Sequence, residues 1–164
     1  MRIAVMSDSH DHLDNLKSAY DVIHREKTER IIHCGDFVAP FVFKAIAAEG
    51  IAAHAVFGNN DGDQYLLTKA ALNSNGLIDL APLIGEFDAD GFRIAYTHQW
   101  AVAEGLVATG KYHMVCYGHD HTFYKDDSGG TLVLNPGEIM GKDGSPGFCI
   151  VDTQSGEVRR ISLY

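Results

Sequence analysis

The sequence is poor in cysteine, and the cysteines it has are not spaced to bind a metal. Its 164 residues include three, at positions 34, 116 and 149, each in an apolar, strand-like context and without a Cys-x-x-Cys pair. A thiolate zinc site is therefore not indicated, and an odd number of distant cysteines gives no disulfide framework. We expect these thiols to be buried in the core, where free cysteine is commonly found.

The chain also lacks a long apolar run and an excess of positive charge. No segment approaches the length that spans a bilayer, and the chain opens on an apolar strand, Arg2 to Ser7, rather than on a secretory signal. We therefore expect a cytoplasmic protein with no membrane partner. Thirteen Lys and Arg against 22 Asp and Glu give a formal net charge of -9. That balance disfavours long nucleic acids as partners, because their binding depends on basic side chains.

The order of apolar segments indicates an α/β protein with mixed sheets. The first half alternates short apolar strands with amphipathic helices, which predicts a parallel sheet because parallel neighbours need crossover connections. The second half has the Asp90-Gly91 hairpin signal and further hairpins, one of them at a Ser128-Gly129-Gly130 turn. With no internal repeat or linker, we treat residues 1–164 as one domain. The predicted helices are 12–27, 38–48, 64–73 and 102–109, and the predicted strands are 2–7, 30–34, 51–57, 84–88, 93–97, 114–117, 123–125, 131–134, 147–151 and 158–163.

Polar side chains with metal-binding atoms follow five of the predicted strands, at the point where each strand ends. In open α/β sheets, sites form outside the carboxyl ends of the strands, so these side chains are expected to meet at one edge of the molecule. Each segment alone is commonplace, since Gly, Asn and Asp favour turns and an Asp there also serves as a helix cap. The joint pattern is specific. The predicted ligands are Asp8, His10, Asp36, Asn59, His98, His119 and His121.

The chemistry of these seven side chains favours divalent transition metal ions. Imidazole, carboxylate and amide donors without thiolate suit borderline divalent ions such as manganese, iron, nickel, cobalt or zinc, and we take manganese as the first expectation. Seven donors exceed the needs of one ion. If Asp36 bridges, they divide into two sets of four, which predicts a dinuclear site. We expect Asp61 to accept a hydrogen bond from Asn60 or His10 and so to orient it.

The motifs Asp8-Ser9-His10, Gly35-Asp36, Gly58-Asn59-Asn60-Asp61, Thr97-His98 and Gly118-His119-Asp120-His121 resemble those of the calcineurin-like metallophosphoesterases. The short length and the Asn135-Pro136-Gly137 segment look most like the compact YfcE-type phosphodiesterases of bacteria and archaea. The resemblance covers residues 1 to about 152.

The resemblance implies a four-layer αββα sandwich and a site for two metal ions. By motif match, one ion has Asp8, His10, Asp36 and His121 as ligands, and the other has Asp36, Asn59, His98 and His119. A hydroxide between the ions would attack phosphorus in line with the leaving group, and Asn60 and Asp61 are the catalytic candidates.

Three positions depart from the family pattern. Many relatives have His at the position of Asn60, where it is taken to protonate the leaving group, and an amide cannot act as that acid. Thr97 stands where Gly is usual, which an extended backbone tolerates. Glu138 stands where Ser is frequent, and its carboxylate is expected either to face the site and repel an anionic substrate or to point to solvent.

These observations predict a metal-dependent phosphoesterase, and specifically a phosphodiesterase, acting on a small phosphate ester. One alternative is a non-catalytic interaction scaffold, since the retromer vacuolar sorting subunit shares the fold implied by the resemblance; a scaffold has no chemical need for seven ligand positions. Another alternative is a nuclease acting on short nucleic acids. A homodimer is possible on sequence grounds.

Overall fold

The computed structural model describes residues 1–127 and 129–164, so Ser128 of the predicted turn lies outside the described residues. Within them, helices and strands alternate as far as residue 81, and strands then predominate. The helices are α1 (Leu13–Arg25), α2 (Pro40–Ala48), α3 (Gln64–Leu72) and α4 (Trp100–Ala108). The strands are β1 (Arg2–Met6), β2 (Arg30–His33), β3 (Ala53–Val56), β4 (Ile78–Ala81), β5 (Ile84–Ala89), β6 (Phe92–Thr97), β7 (Met114–Cys116), β8 (Phe123–Asp126), β9 (Leu132–Pro136), β10 (Gly147–Asp152) and β11 (Val158–Ser162).

The strands form two mixed sheets. The first has the order β11-β10-β1-β2-β3-β4, in which β1 to β4 are parallel and β10 and β11 are added antiparallel at one side. The second has the order β5-β6-β7-β9-β8, in which β6, β7 and β9 are parallel. The predicted hairpin joins β5 to β6, and both Asp90 and Gly91 have positive φ, as a two-residue turn between twisted strands requires.

The two sheets pack face to face with helices outside them, which confirms the four-layer αββα arrangement. Strand β1 shows how the sequence produces it, because Ile3 and Val5 face the second sheet while Ala4 and Met6 face the helices. Residues 3–6 of this strand are therefore buried on both faces, and all four are apolar. Helices α1, α2 and α3 cover the first sheet, and α4 covers the second.

Several details differ from the sequence-based prediction. Strand β4 was not predicted, and α4 begins at Trp100 rather than at 102. Helix α1 is capped by His12, whose Nδ1 accepts from the N–H of Asn15 at 3.2 Å.

The three cysteines are free and buried, as expected. None of the helices in the part of the chain described is long and apolar enough to cross a membrane.

Candidate metal centre

The structure brings all seven predicted ligands together at one edge of the two sheets. Strands β1, β2 and β3 of the first sheet and β6 and β7 of the second end at this edge, and each is followed by one or two of the ligands. The side chains that meet are Asp8 and His10 after β1, Asp36 after β2, Asn59 after β3, His98 after β6, and His119 and His121 after β7.

One group of donor atoms surrounds the space between Asp8 and His121. Nε2 of His121 lies 3.4 Å from Oδ1 of Asp8, and Nε2 of His10 lies 3.8 Å from Oδ2 of Asp36. Single ligand atoms of Asp8, His10 and His121 all lie within 4.8 Å of one another. This spacing suits donors that point at one ion from several sides.

A second group meets at the side-chain oxygen of Asn59. Oδ1 of Asn59 lies 2.9 Å from Nε2 of His98 and 2.7 Å from Nδ1 of His119. Nε2 of His98 also lies 3.6 Å from Oδ2 of Asp36. Asp36 therefore contacts a histidine of each group, the position that a bridging ligand occupies.

Two buried polar atoms of this centre lack a hydrogen-bond partner among the described residues, namely Oδ1 of Asp8 and Nε2 of His10. Buried polar groups are nearly always satisfied, because an unpaired one keeps its full desolvation cost. Burial also raises the pKa of Asp8, since the carboxylate has left water without a full set of partners. These two atoms fit a divalent cation, which would coordinate both of them and favour the ionised form of the Asp8 carboxylate.

The backbone at the centre adopts a conformation that non-glycine residues seldom use. Asp8, His10, Asp36, His119 and His121 all have positive φ, between 45° and 77°. Such residues are uncommon outside glycine and persist where the surroundings hold them, frequently at functional sites. Here the sharp turn after each strand directs the side chain into the space between the two sheets' edges.

Glycines provide the room for these turns. A Cβ on Gly58 would overlap the carboxylate and backbone nitrogen of Asp36, and a Cβ on Gly118 would overlap Oγ of Ser7 and crowd Oδ2 of Asp8. The glycines preceding the ligands are thus required by close approach of neighbouring loops.

Asp61 organises the centre without facing it, which corrects the sequence-based prediction. Its carboxylate is buried and accepts no hydrogen bond from the side chain of Asn60 or His10. Four backbone N–H groups donate to it instead, those of Asp36 at 3.1 Å and of Phe37, Val38 and Gly58 at 2.7 Å. Burial raises its pKa, and the N–H groups of Gly58, Val38 and Phe37 oppose that rise. Asp61 is therefore a positioning residue that ties the loops after β2 and β3 together.

Asn60 lies at the open side of the centre. Its backbone N–H donates to Oδ1 of Asp36 at 2.8 Å, and its side-chain Nδ2 donates to Oδ2 of the same carboxylate at 2.7 Å. The residue is exposed, so its amide lies between Asp36 and solvent.

Glu138 takes neither of the two orientations expected from the sequence. It is 1% exposed, and its carboxylate turns into the loop of residues 141–144, accepting from the N–H groups of Lys142, Asp143 and Gly144 at 2.9, 2.6 and 2.7 Å. Its Oε2 lies 3.3 Å from Nδ1 of His121. The loop that it holds brings Asp143 to 2.9 Å from the same nitrogen. Asp143 was not among the predicted site residues, because the segment 141–146, Gly-Lys-Asp-Gly-Ser-Pro, has the composition of an ordinary turn.

Thr97, which differs from the family pattern, and two residues next to the centre, His33 and Phe37, make contacts that stabilise the fold. Thr97 lies in β6 with an extended backbone, as expected, and its hydroxyl donates to Leu83 O at 2.8 Å. His33 is fully buried, with Nε2 at 2.9 Å from Oγ of Ser9 and Nδ1 accepting from the N–H of Gly35 at 3.3 Å. Phe37 is fully buried and packs on His33.

Comparison with known proteins agrees with this architecture. Residues 1–156 match the calcineurin-like phosphoesterase superfamily domain, and the chain belongs to this superfamily. Over 166 aligned residues it is 38% identical to a curated protein of Methanocaldococcus jannaschii named phosphodiesterase MJ0936, covering 99% of each chain.

Solved structures give the same fold. One described as a novel archaeal phosphodiesterase superposes with a TM-score of 0.89 at 35% identity, covering 99% of both chains. The phosphoesterase YfcE of E. coli superposes with a TM-score of 0.70 at 15% identity, covering 100% of both chains. Vps29 of Chaetomium thermophilum superposes with a TM-score of 0.73 at 15% identity, covering 98% of this chain and 95% of the Vps29 chain. At such low identity the last two are similar in fold alone.

Proposed function

We propose that this chain, acting as one domain, is a metal-dependent phosphodiesterase that hydrolyses a small phosphate ester with two divalent ions, manganese first among them. The observation that carries the proposal is the pair of ligand groups that share Asp36. Within them, Oδ1 of Asp8 and Nε2 of His10 are buried without a hydrogen-bond partner among the described residues. The activity named for the archaeal relative, at 38% identity over nearly the whole chain, supports the same reaction class.

The proposed ligands are those of the two donor groups. One ion would be held by Asp8, His10 and His121. The other would be held by Asn59, His98 and His119, and Asp36 would bind both ions. Two such cations would lower the pKa of bound water and stabilise the attacking and leaving oxygens.

The chain's own residues would orient the ester and fix the ligands. Asn60, exposed beside Asp36, has amide N–H groups that can donate to a phosphoryl oxygen. An amide holds no titratable proton, so it cannot protonate the leaving alcohol. We therefore expect aryl diesters, whose leaving groups need no acid, to be better substrates than unactivated alkyl monoesters.

The scaffold alternative is the weaker one. A protein that works only through its surface has no use for these two buried polar atoms, which have no hydrogen-bond partner among the described residues and lower stability unless an ion satisfies them. A nuclease acting on long polymers is disfavoured by the net charge of -9.

The test begins with protein stripped by a chelator and reloaded separately with Mn²⁺, Ni²⁺, Co²⁺, Zn²⁺ or Fe²⁺. Hydrolysis of bis(4-nitrophenyl) phosphate and of ethyl phosphate is then measured across pH, with Asp36→Asn as the variant that removes the bridging carboxylate. We expect turnover of the aryl diester with at least one metal, little turnover of the monoester, and loss of activity in the variant. Absence of hydrolysis with every metal contradicts the proposal, and equal rates on both esters contradict the preference.

A further inference from the structure

A groove lies directly beside the metal centre, on the side of His121. It has a volume of about 420 Å³ and is open to solvent. Its lining includes His121 and Asp143, so a group bound in the groove would adjoin any phosphate at the centre. The rest of the lining comes from the start of β8, from the loop after residue 143 and from β11, and its members include Thr122, Phe123, Gly144 and Arg160.

Arg160 is held in a defined position at this groove. One guanidinium nitrogen, Nη2, donates to the backbone oxygen of Ser145 at 3.0 Å, and Cζ lies 5.0 Å from the centre of the Phe123 ring. That distance is within the range of a cation–π contact. A guanidinium carries five N–H donors, and the bond to Ser145 uses one of them. Donors thus remain for a ligand, on an exposed side chain that Ser145 and Phe123 already hold at the groove.

The guanidinium of Arg160 lies close to the segment that carries His121. A Cβ built on Gly137, which has φ +79°, would lie 3.4 Å from Nη2 of Arg160 and 3.7 Å from the backbone oxygen of His121. Arg160 and the His121 segment therefore both adjoin Gly137. The cationic group is a near neighbour of the metal-binding loop rather than a remote surface charge.

The charge of Arg160 stands out in this setting. Among the described residues that line the groove it is the only Lys or Arg, in a chain whose formal charge is -9. The one carboxylate in the lining, Asp143, is already engaged by Nδ1 of His121. An arginine matches the planar geometry of carboxylate and phosphate groups, which it binds with two parallel hydrogen bonds.

We propose that the groove at Arg160 is a subsite for a second anionic group of the substrate, a carboxylate or a further phosphate carried by one alcohol of the phosphodiester. This inference rests on the proposed phosphodiesterase function and narrows its substrate class. The metal centre would hold the diester, and Arg160 would select among diesters by the charge of the attached alcohol.

The test uses three diesters with the same 4-nitrophenyl leaving group and different retained alcohols. The retained alcohol is 2-carboxyethyl, which is anionic, propyl, which is neutral, or choline, which is cationic. We expect kcat/KM of the metal-loaded protein to favour the carboxyethyl ester over the propyl ester by about tenfold, the effect of one charge-assisted hydrogen-bonded pair. The choline ester should be the poorest.

Variants separate the subsite from a general effect of charge. Arg160→Gln should abolish the preference for the carboxyethyl ester and leave kcat/KM for the propyl ester within about twofold of the original. Arg160→Lys should retain part of the preference. Arg159→Gln is the matched control, because Arg159 precedes Arg160 on the same strand but pairs with Glu26 instead; it should keep the preference.

The outcomes distinguish the two proposals. Equal kcat/KM for the three esters in the unmodified protein, or equal loss of preference in the Arg159 and Arg160 variants, contradicts the subsite. Failure of the metal-loaded protein to hydrolyse even the propyl ester contradicts the phosphodiesterase function itself.

Discussion

The carboxylate of Asp143 lies 2.9 Å from Nδ1 of His121, while Nε2 of the same ring faces Asp8 at 3.4 Å. A carboxylate at Nδ1 favours the tautomer that carries its proton there, which leaves Nε2 free as a ligand. Partners of this kind orient metal-binding histidines and raise their basicity. Glu138 stabilises the loop that carries Asp143, because its carboxylate accepts hydrogen bonds from the N–H groups of Asp143 and Gly144.

Removing the Asp143 partner should weaken metal binding. For Asp143→Leu we expect Mn²⁺ affinity to fall by about 10-fold, toward the low end for such partners, because Nδ1 of His121 loses the closer of its two carboxylate contacts and keeps only Glu138 at 3.3 Å. Asp143→Asn should lose less, since the amide oxygen still accepts from Nδ1–H. Titration against a fluorescent chelator measures affinity, and ¹⁵N NMR of the metal-free protein reports the tautomer.

The matched control is Asp21→Leu, on the exposed face of α1. It changes the net charge equally and should bind Mn²⁺ as the unmodified protein does. Unchanged affinity and tautomer in Asp143→Leu would show that the contact has no effect on the ligand.

Asn59 should decide whether a second ion binds. Its Oδ1 lies within 2.9 Å of both His98 Nε2 and His119 Nδ1, so it is the centre of that donor group. We expect Asn59→Ala to lower the bound metal from about two ions per chain to about one, as determined by elemental analysis after dialysis. Asn73→Ala, at the exposed end of α3, is the control. Two ions retained by Asn59→Ala would exclude Asn59 as a necessary ligand.

That these seven side chains meet at one edge could be predicted from sequence, because each follows directly on an apolar strand. Residues 3–6 of β1 are all apolar and buried, and the change to Asp8 after β1 and to Gly35-Asp36 after β2 marks the polar edge. Strand β4 was missed because it lies at the edge of its sheet and only Ile78 among its residues is buried. A strand of four residues with one of them buried carries no strong periodic signal.

The supporting contacts could not be predicted in the same way. Glu138 and Asp143 contact His121, and the loop that carries Asp143 has the sequence of an ordinary turn. Asp61 accepts its hydrogen bonds from backbone N–H groups rather than from the side chains of its neighbours. Both outcomes depend on which loops pack together in three dimensions. Spacing along the chain does not encode them.

Gly58 and Gly62, at the two ends of one loop, should differ sharply when replaced by alanine. In Gly58→Ala the new methyl group overlaps the Asp36 carboxylate, so we expect the free energy of unfolding to fall by about 1–3 kcal/mol, as in overpacked cores. Gly62 has nothing within 4 Å of a Cβ, and Gly62→Ala should be nearly neutral. Urea denaturation of the metal-free proteins measures both, and equal stabilities would contradict the close packing of these loops.

Replacing Asn60 by histidine should supply the missing acid. Asn60→His places a titratable group beside Asp36, and we expect turnover of alkyl diesters to rise by on the order of 10²-fold, the low end for general acid catalysis. Turnover of bis(4-nitrophenyl) phosphate should change little, because its leaving group needs no proton. The rate on the alkyl ester should also fall at high pH as the new imidazole loses its proton. A uniform change for both esters would point to an effect on binding alone.

His33 should make the metal-free protein sensitive to mild acid. The ring accepts the Gly35 N–H at Nδ1, so its single proton lies on Nε2 and is donated to Oγ of Ser9. Burial lowers the pKa of His33 from 6.5 to about 3, with the nearby His98 and His10 adding to that effect.

The sign of the dependence follows from proton binding in the two states. Between pH 6.5 and about 3 the unfolded chain takes up a proton at His33 that the folded protein excludes, so the free energy of unfolding must fall as the pH is lowered through this window. In His33→Gln that contribution is absent, whereas the carboxylates contribute as before. Urea denaturation of both metal-free proteins at several pH values should therefore give a shallower slope for the variant. Parallel slopes would mean that His33 accepts a proton in the folded state, and hence that its hydrogen bond from Gly35 is dispensable.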